Sequence, residues 1–270
     1  MTGRLPDFGL DAYTQLLDRL AFAGYHFQPV SALRSPAGSP TIYLRHDLDS
    51  FVDLVTDLAR LEHARGLQAT YFVPLAQPFN CFFPPVRAAL AGLRQLGHEI
   101  GLHYDLTTYP RDPLQRRQHL DWEASLLAQL VEGKVETIAQ HQPDQSLPDP
   151  FRSLDEYIHP HDPRFQAGLV YVSDSCRAWR DEKLLDCFGP LPPLRLLLNT
   201  HPENWLDGSF TDRIQYLEQV LLADVLQPVR KFYLNTVRQT WLSHPATRQH
   251  DARLLCDSHS APGAVEAPGL

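Results

Sequence analysis

Along residues 11–23 the apolar side chains fall at Ala12, Tyr13, Leu16, Leu17 and Leu20, with Gly24 following. That 3.6-residue spacing predicts an amphipathic helix with a glycine stop. The same period, with Leu54, Val55, Leu58 and Leu61 as the apolar stripe, predicts a second helix over 51–65, with Ser50 as a cap and Gly66 as the stop. Further helices are predicted over 84–96, stopped by Gly97, and over 112–131, where Pro113 suits the first helical position. A last one is predicted over 211–226, with Ile214, Leu217, Val220 and Leu221 on one face. Between these helices lie short β-rich runs at 41–44, 69–73, 98–103, 135–139, 169–172 and 194–198. Residues 31–40, with Ser35, Pro36, Gly38 and Pro40, read as a loop, and 142–168, rich in Pro, Asp and His, as a long excursion over one end of the sheet. The stretch 245–270 has little periodicity, so the expected division is one α/β domain over 1–244 and a disordered tail over 245–270.

Strands alternating with helices predict a parallel sheet covered by helices. The polar residues then fall in an informative place. The first run leads into Asp47 and Asp49, the third into His103 and Asp105, the fourth into His141, the fifth into Asp174 and the sixth into His201. In a parallel α/β barrel or doubly wound sheet the C-terminal strand ends share one face, where sites are built. Carboxylate with imidazole is a ligand set for zinc and similar first-row divalent ions. Asp47, Asp49, His103 and His201 are thus expected to line one divalent-metal site. Two aspartates two residues apart can divide the work there, one holding the ion and the other accepting a proton. Not every polar residue is claimed by this site. His98 opens its strand and reads as structural, while His159 and His161 lie in the excursion. Trp179 and Trp205 could stack on a sugar or simply pack, and Arg45 and Arg177 could meet an anionic substrate or form ion pairs.

Composition narrows the classes. The 270-residue chain is 43% hydrophobic and 21% charged, enough for a sizeable core, and its formal charge of −8 argues against a nucleic-acid surface. Cys81, Cys176, Cys187 and Cys256 form no Cys-x-x-Cys pair and read as free thiols. With no signal-like apolar stretch near Met1 and no run long enough to span a membrane, a cytoplasmic location is expected.

Four segments, in order over roughly residues 40–205, carry a family resemblance. They are Tyr43-Leu44-Arg45-His46-Asp47-Leu48-Asp49, Gly97-His98-Glu99-Ile100-Gly101-Leu102-His103-Tyr104-Asp105, Tyr171-Val172-Ser173-Asp174-Ser175 and Leu196-Leu197-Leu198-Asn199-Thr200-His201-Pro202-Glu203. Together they resemble the polysaccharide deacetylase, or NodB-homology, family, and most closely its branch with a His-Asp-Val-Asp first motif. The resemblance implies a distorted (β/α) barrel of about seven parallel strands. It implies Asp47 as general base, Asp49 and His103 as metal ligands, His201 as the acid that protonates the leaving amine, and Asp174 as the group that orients a catalytic residue. Two departures stand out. Where the family has a second histidine four residues after the first, this chain has Thr107, and the family's arginine–proline third motif is absent, with His141 near its place. His141, ending the next strand, is the first choice for the third ligand, and Asp105 the second.

The function implied is a metal-dependent hydrolase, zinc being the first choice of ion, that removes an N-acyl group, the N-acetyl above all, from a sugar or glycan precursor. Two alternatives are a hydrolase of another amide or cyclic amide, and a degenerate member that binds glycan or metal without turnover. The expected partner is a small-molecule or glycan substrate.

Overall fold

The structure, a computed structural model, describes residues 5–35, 38–49, 53–76, 80–142, 148–175, 177–179 and 182–205, with the backbone alone at 53 and 54. The expected cap at Ser50, the helix over 211–226 and the tail over 245–270 lie outside the described residues. In chain order the elements are α1 (Leu10–Phe22), β1 (His26–Gln28), β2 (Thr41–Asp47), α2 (Asp53–His63), β3 (Thr70–Val73) and α3 (Pro84–Gln95). Then follow β4 (Glu99–Tyr104), α4 (Pro113–Leu130), β5 (Ile138–Gln140), β6 (Leu169–Ser173), α5 (Lys183–Asp186) and β7 (Arg195–Thr200).

Among the described residues all seven strands are paired in parallel, in the order β5-β4-β3-β2-β7-β6, with β1 added to β2. β7 lines one edge of β2 along 41–46, so β1, at 41–43, and β3, at 45–47, share the other. The sheet curls into a half-barrel with helices on its outer side, consistent with a distorted (β/α) barrel. β1 went unread in the sequence because it is three residues long, with only Phe27 buried.

Every residue of β2 is buried, so both faces of the strand are covered, and period two divides its side chains between two cores. Ile42 and Leu44 join the helix-side core with Tyr13, Leu16, Leu17 and Leu58, whereas Tyr43 points into the barrel with Phe72, Ala139, Ile158 and Leu197. Each such fully buried Leu contributes roughly 1.5–3 kcal/mol. Two residues on from Tyr43 is Arg45, and two further is Asp47, so these charged groups belong to the inner face, while His46 belongs to the helix side.

The run 31–40 is not all loop. Val30–Arg34 is a 3-10 helix whose Val30 and Leu33 pack into the inner core. Its Val30 N–H donates to Thr70 Oγ1 at 2.7 Å, and Thr70 in turn donates to Glu99 Oε2 at 2.6 Å. The fourth strand begins three residues later than the hydrophobic run suggests, because 136–138 are flanked by the excursion. Ile138 N–H donates to the Ile158 carbonyl and Ile158 N–H to that of Glu136. Part of the excursion is therefore tied to the barrel beside β5.

Candidate metal centre

Four strand ends deliver the candidate residues to one place. Asp47 ends β2 and Asp49 lies two residues beyond it; His103 is in β4, His141 follows β5, and His201 follows β7. Asp49 Oδ1 lies 3.4 Å from His103 Nε2 and 3.2 Å from His141 Nδ1, and the three ligand atoms are within 4.8 Å of one another. Ligand atoms each about 2.0–2.1 Å from a tetrahedral ion sit roughly 3.3 Å apart. The two spacings from Asp49 match.

The side chains are also turned to suit an ion. His103 Nδ1 donates to the Ala139 carbonyl at 3.0 Å, which leaves the Nε2 lone pair facing Asp49. Asp49 Oδ1 and His141 Nδ1 are buried and form no aligned hydrogen bond, with each other or with any other group. Such orphaned atoms mark a missing partner, and a carboxylate with two imidazoles is a donor set that fits a divalent first-row ion, with one position left open. Burial would push the Asp49 carboxyl up, but the imidazoles of His103 and His141 outweigh it and hold it well below the ordinary range. His141 moves the opposite way, raised by Asp49 against the effect of its burial.

Asp105, the second choice for the third ligand, is engaged elsewhere. Its Oδ1 accepts from Thr107 N–H at 2.9 Å and from Thr107 Oγ1 at 2.7 Å, capping the 3-10 turn Leu106–Thr108.

Asp47 stands beside this group, its Oδ2 3.8 Å from His103 Nε2 and 3.9 Å from His201 Nε2. Burial raises its carboxyl, yet Arg45, His103 and His201 bring it down to about 2. His201 Nε2 is also 3.8 Å from Asp49 Oδ2, and its Nδ1 is bonded to Asp174 Oδ1 at 2.6 Å. Burial disfavours the imidazolium here, but the hydrogen bond and charge of Asp174, with Asp47 and Glu203 behind, raise His201 well above its ordinary value. Glu203, on the following 3-10 turn, is pushed up to about 8 by burial, with His201 opposing the shift and Asp49 adding to it.

The remaining polar candidates resolve mostly as structure. His98 is buried, with Nε2 on the Ala59 carbonyl at 3.0 Å. His159 lies 3.2 Å from Asp149. Trp179 stacks on Phe8, and Trp205 is wholly buried and donates to Asp174 Oδ2 at 2.8 Å. Arg45 forms an ion pair with Asp47. Trp205, read from the sequence as a stacking or packing ring, thus packs and also holds Asp174, whereas Asn199 and the Ala139 carbonyl were missed in the sequence, since each reaches the site through strand register that no local spacing reveals.

No family model matches the chain, and no curated protein matches it. Among solved structures it is similar to the peptidoglycan deacetylase PdaC from Bacillus subtilis, at 14% identity over 76% of this chain and 99% of that one, with a TM-score of 0.42. It is similar to a family 4 carbohydrate esterase from Bacillus anthracis, at 13% identity over 84% and 93%, TM-score 0.33. It is similar also to IcaB from Ammonifex degensii, at 16% identity over 52% and 68%, TM-score 0.38.

Proposed function

We propose that this chain is a metal-dependent amide hydrolase that removes an N-acyl group, the N-acetyl above all, from a sugar or glycan precursor, with zinc as the first choice of ion. The observation that carries the reading is the meeting of Asp49 Oδ1 with His103 Nε2 and His141 Nδ1 at 3.4 and 3.2 Å, the Asp49 and His141 atoms being buried without an aligned hydrogen bond. The sugar is supported by the four ordered motifs, which resemble those of polysaccharide deacetylases.

Asp49, His103 and His141 would hold the ion, which when bound supplies polarisation of the acyl carbonyl and acidification of a water molecule. Asp47, ionised across the physiological range, accepts that water's proton. His201, protonated and directed by Asp174, donates from Nε2 to the departing nitrogen. The two proton carriers thus keep opposite charges at neutral pH, the arrangement that an acid and a base need to act in one turnover.

The test is metal analysis of the purified chain, joined to acetate release from a panel of N-acetylated sugars. The wild type is expected to bind one divalent ion per chain and to release acetate. Asp49→Ala is expected to lose the ion and to lower kcat/KM by roughly 100-fold or more. A protein with no ion, and activity untouched by Asp49→Ala, would sink the reading. Stoichiometric ion without acetate release would remove the N-acetyl sugar as substrate.

A further inference from the structure

Arg45 grips Asp47 at two points. Its Nε donates to Oδ1 at 2.6 Å and its Nη2 to Oδ2 at 2.9 Å, the parallel fork of a bidentate pair. Asn199 Nδ2 adds a third bond to Oδ2 at 3.0 Å. Arg45 and Asn199 are directly opposed in the β2–β7 ladder, so register alone sets them side by side on the inner face. Beneath the guanidinium, at 4.9 Å, lies the ring of Phe72, itself the ladder partner of Asp47.

A stabilising role explains this poorly. The Arg45 side chain is only 4% exposed and that of Asp47 6%, and taking two charges out of water costs several kcal/mol per ion, which apolar side chains in the barrel would not incur. Arg45 Nη1 is left buried without a partner, so the guanidinium is not placed to satisfy its own donors. What the fork does achieve is direction. A carboxylate held by two parallel bonds and a third from the neighbouring strand cannot turn about its last torsion. The edge it presents to His103 and His201 is therefore fixed.

We propose that Arg45 is a positioning residue which, with Asn199, fixes the plane of the Asp47 carboxylate against the metal group. The proposal rests on the reading of Asp47 as the proton acceptor. The test uses the zinc-loaded full chain as wild type, R45A and R45K, and reads zinc content, kcat and KM for acetate release, and the crystallographic position of Asp47. In R45A the Asp47 carboxylate is expected to turn away while zinc stays bound. There kcat falls on the order of 100-fold with KM little changed, and guanidinium ion added to the assay restores about tenfold. R45K keeps a charge but not the fork, and is expected to recover less than about a tenth of wild-type kcat.

An Asp47 unmoved in R45A, wild-type kcat in either variant, or a loss that guanidinium leaves untouched would overturn the proposal. If R45A does not fold, R45K decides it by the same kcat and carboxylate position. A wild type that holds zinc yet releases no acetate would remove the hydrolase reading, whereas the position of Asp47 in the variants would still decide the clamp.

Discussion

Asp174 shows how much of one site can hang on one carboxylate. Its Oδ1 accepts from His201 Nδ1 and from the His201 backbone N–H, its Oδ2 accepts from the Trp205 indole, and its own carbonyl accepts from Asn204 Nδ2 at 2.9 Å. The turn 201–205 is wound about this residue, so the direction of His201 Nε2 follows from a group 27 positions earlier. In Asp174→Asn the single amide oxygen can replace only one of the two carboxylate oxygens, so either the indole or the Nδ1 proton of His201 loses its acceptor, and the charge is lost in both cases. The variant is expected to keep its metal while kcat falls on the order of 100-fold. In an NMR titration its His201 should protonate at lower pH than in the wild type. A kcat within about twofold of wild type would show that His201 needs no such partner.

At the scale of elements, the inner face depends on an absent side chain. Gly101 in β4 is the ladder partner of Phe72, and a Cβ on it would sit 2.6 Å from that ring and 2.5 Å from Thr137 Oγ1. The ring cannot withdraw without displacing Arg45 above it. Gly101→Ala is thus expected to destabilise the chain by about 1–3 kcal/mol in urea denaturation, and unchanged stability would mean the barrel interior has room to spare. This bears on what could be read beforehand. Helices α1 to α4 and six of the seven described strands were legible because their periods are local, and the gathering of Asp47, Asp49, His103, His141, Asp174 and His201 at one end of the sheet was legible because each lies at or after the end of a hydrophobic run. The choice between His141 and Asp105 was not, since it turned on the Thr107 cap. Nor was the role of Asn199, which owes its place to a β2–β7 register spanning more than 150 residues. The likeness of Arg45 and Asp47, two residues apart on one strand face, was in reach of the alternation rule but lacked any sign that the inner face was closed.

Across the whole molecule, the sheet separates two polar clusters. On the helix side Glu62, wholly buried, accepts from Tyr13 at 2.5 Å and Tyr71 at 2.8 Å, with His46 Nε2 at 2.8 Å and His98 Nδ1 at 3.7 Å, while His46 Nδ1 meets Thr200 Oγ1 at 2.7 Å. These groups join α1, α2, β2, β3 and β7 through one charge. Burial alone would raise the Glu62 carboxyl, but His46, His98 and Tyr13 hold it below its ordinary value. A depressed folded-state value gives stability that is full above the unfolded carboxylate range and is lost as pH falls through the folded one. His98, lowered chiefly by burial, acts in the same direction from a higher pH, since the unfolded chain takes its proton first. The contribution of this cluster, read as the difference between wild type and Glu62→Gln in chemical denaturation at pH 7, 5 and 3, should therefore shrink with acid. Glu62→Gln should be less stable by about 3 kcal/mol at pH 7 and should have a shallower acid slope; an equal slope would place the acid sensitivity elsewhere. The metal group has a different reach. Its three residues belong to the ends of β2, β4 and β5, and β5 is a three-residue strand at the edge of the sheet. An ion held there at a hundred times its dissociation constant would add about 2.7 kcal/mol to the folded state. Part of that would fall on this short edge strand. Fraying of the edge and escape of the ion would then be a single event, so the residence time of the cofactor and the lifetime of the barrel's open side would be set by one clock.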